Sequence, residues 1–311
     1  MPSTSHPTLR RTLGLRSVVL FGLAYLTPLI VLGIFGVVAE TTSGAAPSAY
    51  ALALVAMLFT ALSYGRMAAA YPVAGSAYTY VRRTIDSRAG FLVGWAVLLD
   101  YFFLPMVIWL IGGSYLAEQF PAVPTPVWIV AFIVLTTGLN LAGIKVADRA
   151  NSLLMVFQIL VLVFFVLLAA GHLVAGHGPA SLFSLTPFTG ENASLTTVAA
   201  GAAIAAYSFL GFDAVTTLTE ETVEPRRTIP RAILLVALIG GGIFVAVAYV
   251  TQLVHPGGAF ADSSAAASEI ARTIGGSLFG AFFLAGLVVA QFTSGLAAQA
   301  STTPPAVRDG P

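Results

Sequence analysis

The chain has 311 residues, of which 58% are hydrophobic and only 9% charged, and its mean hydropathy is +0.91. A soluble exterior needs roughly a quarter of its residues charged, so soluble domains, nucleic-acid binding and disorder are excluded and a polytopic membrane protein is expected. The 14 basic and 13 acidic side chains nearly cancel, and the absence of cysteine excludes disulfides, thiolate metal sites and cysteine nucleophiles.

Residues 1–16 form a polar, basic tail without the short apolar core and small-residue cleavage site of a signal peptide, so the first span is expected to be retained. Stretches of about 20 apolar residues, enough to cross about 30 Å of hydrocarbon, then recur eight times. Their approximate limits are 17–40, 47–70, 89–117, 126–144, 150–174, 195–219, 231–254 and 276–299. Barrel strands would alternate over about ten residues, whereas these runs are continuously apolar. The expected fold class is therefore an all-α polytopic membrane protein with about eight transmembrane helices in a membrane domain at 17–301. Residues 302–311 are a polar, proline-rich tail.

The connections predict the orientation. Arg10, Arg11 and Arg16 precede the first span; Arg66, Arg82, Arg83 and Arg88 surround the second connection; Lys145 and Arg149 fill the fourth; Arg226, Arg227 and Arg231 fill the sixth; Arg308 is in the tail. Arg272 is the one cation on the other side, so the positive-inside tendency places both termini in the cytoplasm. His172, His177 and His255 sit at membrane edges without an HExxH-like pair, and no metal or other cofactor is expected.

Two spans are interrupted in related ways. In the first, Gly22-Leu-Ala-Tyr25-Leu-Thr27-Pro28 places a proline near mid-membrane; in the sixth, Tyr207-Ser208-Phe209-Leu210-Gly211-Phe212-Asp213 places a glycine and a charge there. Proline lacks a backbone donor and glycine weakens a helix by about 1 kcal/mol relative to alanine. Backbone groups released inside a membrane must be satisfied by protein, water or ligand. Paired interruptions in corresponding spans are the best sequence pointer to the central site of a transporter.

Several stretches carry a resemblance. Val73 to Tyr80, Gly94-Trp95, Leu99-Asp100-Tyr101, Gly143-Ile-Lys145, Gly211-Phe212-Asp213, and Glu220-Glu221 through Pro225-Arg226-Arg227 to Ala232 are similar to the amino acid/polyamine/organocation permeases. Within that family, the runs Gly22–Pro28, Leu99–Met106 and Phe209–Glu221 look most like bacterial putrescine importers. The resemblance extends to about Ser301. It implies a LeuT-like inverted-repeat fold of five plus five helices in a bacterial inner membrane. Helices one, two, six and seven would rock against three, four, five and eight, and the broken first and sixth helices would cradle the substrate. A second repeat equal in length to the first would need about 40 residues, roughly two helices, beyond Pro311. The chain is accordingly expected to be a truncated permease ending after helix eight, with a non-transporting fragment as the alternative of another class.

Asp100 and Asp213 are the acids well inside the spans, and each costs about 2.5–3.5 kcal/mol at a helix centre. Protonation, freed backbone or a cationic guest must offset that cost. The segment Thr27-Pro28-Leu29-Ile30 lacks the Gly-Ser/Thr-Gly pattern that would close backbone N–H groups on a carboxylate, which favours an amine over an amino acid. Expected substrate contacts are Tyr25, Thr27, Pro28, Asp100, Tyr101, Ser208, Phe209, Gly211, Phe212 and Asp213, the aromatic rings adding cation–π attraction of about 0.5–2 kcal/mol. Coupling or gating roles are expected of Asp213, of Thr293 and Ser294, and of Glu220, Glu221 and Arg226. The 72–88 stretch reads as an amphipathic interfacial segment with Tyr78 and Tyr80 at headgroup depth. The expected function is proton-coupled import of putrescine or a related amine, with the lipid bilayer and a proton as partners and an amino-acid permease or exchanger as the alternative. There is no GxSxG or zinc motif, so an enzyme is not expected.

Overall fold

The computed structural model describes residues 11–73, 76–142 and 144–301. The first span is three pieces, α1 (Leu15–Tyr25), α2 (Ile30–Gly33) and α3 (Phe35–Thr41). The second is α4 (Ala46–Ala70), and α5 (Ser76–Thr84) lies in the connection to the third, α6 (Ser87–Gln119). Then follow α7 (Thr125–Leu141), α8 (Ile144–His177) and a one-turn α9 (Thr186–Thr189). The sixth span begins as α10 (Leu195–Ala205) and continues through 3-10 turns at Ala206–Phe209 and Ala214–Leu218. The seventh is α11 (Pro225–Val254), and α12 (Ala266–Ser301) turns at Gly276, whose φ of 73° separates a connecting helix from the eighth span.

Every expected span is thus occupied by helix. Seven are long and apolar enough to cross a membrane, whereas α7, at 17 residues, reaches about 26 Å at 1.5 Å per residue. The chain is a multi-pass membrane protein whose outer surface is apolar: Leu20, Phe59, Phe91 and Val156 are each about two-thirds exposed, as expected where lipid is the solvent. Capping is local. The Asp86 carboxylate accepts the Ala89 N–H at 2.7 Å to start α6, and Ser194 with Thr197 forms a capping box on α10.

The two most extensive helix–helix contacts join spans five apart in sequence. The second span packs most extensively on the seventh, and the third on the eighth, while α1 packs on α11. Small residues are buried along both helices, and the close approach is made at Gly241 of α11 against Leu54 of α4 and at Gly65 of α4 against Pro230 of α11. Without a hydrophobic drive between helices in lipid, such close approach supplies the attraction. Gly22 lets α1 come so near that a Cβ there would stand 2.7 Å from Val215 and 2.5 Å from Val236.

The two faces are closed differently. On the Arg-poor face, the loop at 42–45 is held by Gly44 N–H to Ala39 carbonyl (2.8 Å) and Glu191 N–H to Ser43 carbonyl (3.1 Å). On the Arg-rich face, the segment before α1 pairs with the segment after the sixth span. The N–H groups of Thr12 and Leu13 donate to the Glu221 carbonyl at 2.9 and 3.0 Å, and Val223 N–H donates to the Leu13 carbonyl at 2.9 Å.

Candidate functional site

The first break follows from Pro28. Leu26 N–H still reaches the Gly22 carbonyl at 3.0 Å, but Thr27 N–H bonds Ala24 at 3.2 Å, a tightened i→i−3 turn, and Pro28 has no N–H to offer. Thr27 adopts φ 49°, a left-handed conformation that a threonine seldom takes. In the sixth span the ladder likewise shortens: Leu210 bonds Tyr207 at 3.1 Å, Phe212 bonds Phe209 at 3.1 Å, Ala214 bonds Gly211 at 3.0 Å and Thr216 bonds Asp213 at 2.8 Å. Gly211 has φ 90°, which L side chains rarely adopt.

The two breaks touch. A Cβ on Gly211 would overlap the Tyr25 ring, 2.8 Å from Cε1, so glycine is required there twice, by its dihedral angle and by its neighbour. Around this contact lies a narrow, partly open cleft. Tyr25, Leu26, Thr27 and Ile30 line it from the first span and Tyr207, Ser208 and Leu210 from the sixth; α6 adds Leu104 and α12 adds Ala290, Gln291 and Ser294. Tyr50, fully buried on α4, has its hydroxyl 3.4 Å from both the Val31 carbonyl and Ser208 Oγ. The Tyr115 hydroxyl of α6 donates to the Gly33 carbonyl at 3.0 Å.

The cleft therefore gathers Tyr25, Thr27, Ser208 and Ser294 of the expected residues, with Gly211 at its wall. Pro28 is buried beside it. Phe209 points away and stacks edge to face on Phe244 of α11, ring centroids 5.1 Å apart. Thr293 is buried and its hydroxyl bonds the Val289 carbonyl at 2.7 Å, so the expected hydroxyl pair presents only Ser294 to the cleft. Asp100 and Tyr101 fall on α6, but their side chains lie outside the described residues. Gln291, 3% exposed, and Tyr50 were not anticipated. A lone amide in the apolar run 282–292 was the available signal for Gln291.

Asp213 and Phe212 turn to another neighbourhood. Phe212 lies 5.4 Å from the Tyr64 ring of α4, and Tyr64 lies 6.1 Å from Tyr80 of α5. Tyr80 is only 4% exposed, covered by its protein neighbours. Its hydroxyl is pushed up to about 12 by burial, with Tyr64 and Asp213 adding to the effect. Tyr78 is the exposed one, accepting from Arg82 Nη1 at 3.0 Å. Among the expected gate residues, Glu220 and Arg226 are exposed, and Glu221 contributes its main-chain carbonyl. Arg227 pairs with Glu224 at 3.9 Å, with both side chains exposed.

Comparisons with known proteins agree with this geometry. A family model described as "Amino acid permease" matches residues 17–303. The low-affinity putrescine importer PlaP of Escherichia coli (strain K12) is 40% identical over 300 residues, covering 96% of this chain and 66% of the relative. The branched-chain amino acid permease BcaP of Bacillus subtilis (strain 168) is 27% identical, covering 88% and 61%. The chain thus spans slightly under two thirds of the length of these relatives. Among solved structures, the nucleobase-cation-symport-1 family transporter Mhp1, closed on bromovinylhydantoin, aligns over 96% of this chain and 67% of its own with a TM-score of 0.52 and 17% identity. The fold is the LeuT-like one of inverted repeats.

Proposed function

The chain belongs to the amino acid permease family, and from that membership we propose that it forms the substrate-binding core of a secondary transporter importing an amine, with putrescine or a related polyamine as cargo and a proton as the coupling ion. The observation that carries this reading is the cleft where the two broken spans meet. Its hydroxyls, Thr27, Ser208 and Ser294, accept from ammonium groups, and the rings of Tyr25 and Tyr207 flank an alkyl chain. Asp213, on the turn after the sixth-span break, supplies negative charge and exchanges protons. The bundle of spans one, two, six and seven rocks against spans three, four, five and eight, in a bacterial inner membrane with the Arg-rich face in the cytoplasm. The putrescine importer at 40% identity supports the choice of cargo.

A second reading, an amino-acid permease or exchanger, is favoured by the uncharged lining of the cleft, which also suits a zwitterion. Labelled putrescine offered to proteoliposomes containing the protein separates the two. The expected result is accumulation that rises with an inward proton gradient and is displaced by diamines and polyamines. Displacement by leucine at comparable concentration transfers the assignment to the second reading.

A further inference from the structure

Resting on the reading that the chain carries amines, we propose that Gln291 is a specificity-determining residue of the cleft: its side-chain amide accepts a hydrogen bond from the second ammonium of the cargo, so that the site selects a diamine over a monoamine. Gln291 lies in the eighth-span part of α12, lines the cleft and is 3% exposed. Among the described residues no group hydrogen-bonds its amide. Other polar side chains on this helix are satisfied by protein. The Thr293 hydroxyl bonds the Val289 carbonyl at 2.7 Å, and the Gln299 amide accepts from Asn140 Nδ2 at 3.2 Å while donating to Thr137 Oγ1 at 2.8 Å. An amide that joins helices is bonded in that way, whereas the one that lines the cleft is not.

A buried amide without a partner is costly, and lipid offers it none, so its position suits a polar guest. The polar groups of the cleft are divided between two sets of elements. Thr27 and Ser208 come from the broken spans, and their present bonds are long, 3.4 Å to the Tyr25 carbonyl and 3.4 Å to the Tyr50 hydroxyl. Gln291 and Ser294 come from α12, three residues apart and so on one face of the helix. The remaining lining is the rings of Tyr25 and Tyr207 and aliphatic side chains. An α,ω-diamine has the same distribution, a cation at each end and methylenes between. One ammonium donates to the Thr27 and Ser208 hydroxyls, the methylenes lie against the rings, and the other ammonium donates to Gln291 Oε1 and to the Ser294 hydroxyl. A monoamine reaches only one of the two sets and leaves the amide unpaired.

The test is equilibrium binding of radiolabelled putrescine to the purified full chain in detergent, displaced by n-butylamine and by α,ω-diamines of increasing length. The unaltered protein should prefer putrescine to n-butylamine by about tenfold or more. Gln291→Leu should bring putrescine to within about threefold of n-butylamine and leave n-butylamine itself within about threefold. Gln291→Asn withdraws the amide by one methylene, so the diamine bound best should become longer by a carbon, a shift that a merely structural role would not produce. Should Gln291→Leu lose monodispersity, Gln291→Asn, which keeps the amide, decides alone. A loss shared equally by diamine and monoamine, an unmoved length optimum in Gln291→Asn, or equal binding of putrescine and n-butylamine by the unaltered protein overturns the role of Gln291, a water then bonding its amide, and leaves the proposed function standing. Absence of putrescine binding by the unaltered protein overturns both.

Discussion

Placing one methyl group at position 211 tests whether the two broken spans depend on each other. In Gly211→Ala the residue must hold φ 90°, at a cost of about 1–2 kcal/mol for an L side chain. The new Cβ also overlaps the Tyr25 ring, 2.8 Å from Cε1 and 3.4 Å from Cγ, and such overpacking costs about 1–3 kcal/mol. The sum, about 2–5 kcal/mol, lowers the melting temperature in detergent by something on the order of 5–15 °C. Relief of the overlap requires Tyr25 to swing into the cleft that it lines, so on the proposed function amine affinity should fall by at least about tenfold. A double-mutant cycle separates the two costs: in a Tyr25→Ala background, Gly211→Ala should retain only the dihedral part. An equal loss in both backgrounds would refute the ring contact, and no loss in either would refute the unwound geometry itself.

Gly22→Leu should destabilise the protein by about 1–3 kcal/mol, because Val215 and Val236 already crowd the position; thermal unfolding checks this, and an unchanged melting temperature contradicts the close α1–α11 packing. Tyr50→Phe removes two long bonds of 3.4 Å and should cost no more than about 1 kcal/mol, while loosening Ser208 enough to weaken amine binding severalfold in a titration. Arg227→Ala breaks an exposed pair at 3.9 Å and should change stability by less than about 0.5 kcal/mol, with denaturation curves at low and high salt superimposing.

Much of the fold was legible because hydropathy is a local property. Eight apolar runs gave eight helical spans, and Pro28 and Gly211 marked the places where helix gives way to other backbone. What the sequence left hidden was rotation. In spans apolar on every side, nothing in the pattern tells which face turns inward, so Tyr50 and Gln291 did not stand out. Phe209 was read as a substrate contact although it packs on Phe244. Asp213 was legible as a neighbour of the break, but the 3-10 turn that follows advances about 120° per residue instead of about 100°. Phe212 faces Tyr64 of α4, and neither it nor Asp213 lines the cleft. Tyr80 shows the same limit: the amphipathic pattern of α5 does not tell that this tyrosine is covered by protein while Tyr78 is exposed.

The three backbone bonds joining residues 12–13 to residues 221–223 tie the inner stumps of both broken spans into one piece. Neither stump can swing outward without dragging the other, so an opening movement at this face displaces the pair as a single oar with a shared rowlock. Main-chain amides form the tie, which makes it indifferent to which side chains occupy those positions and vulnerable instead to a proline at Leu13 or Val223.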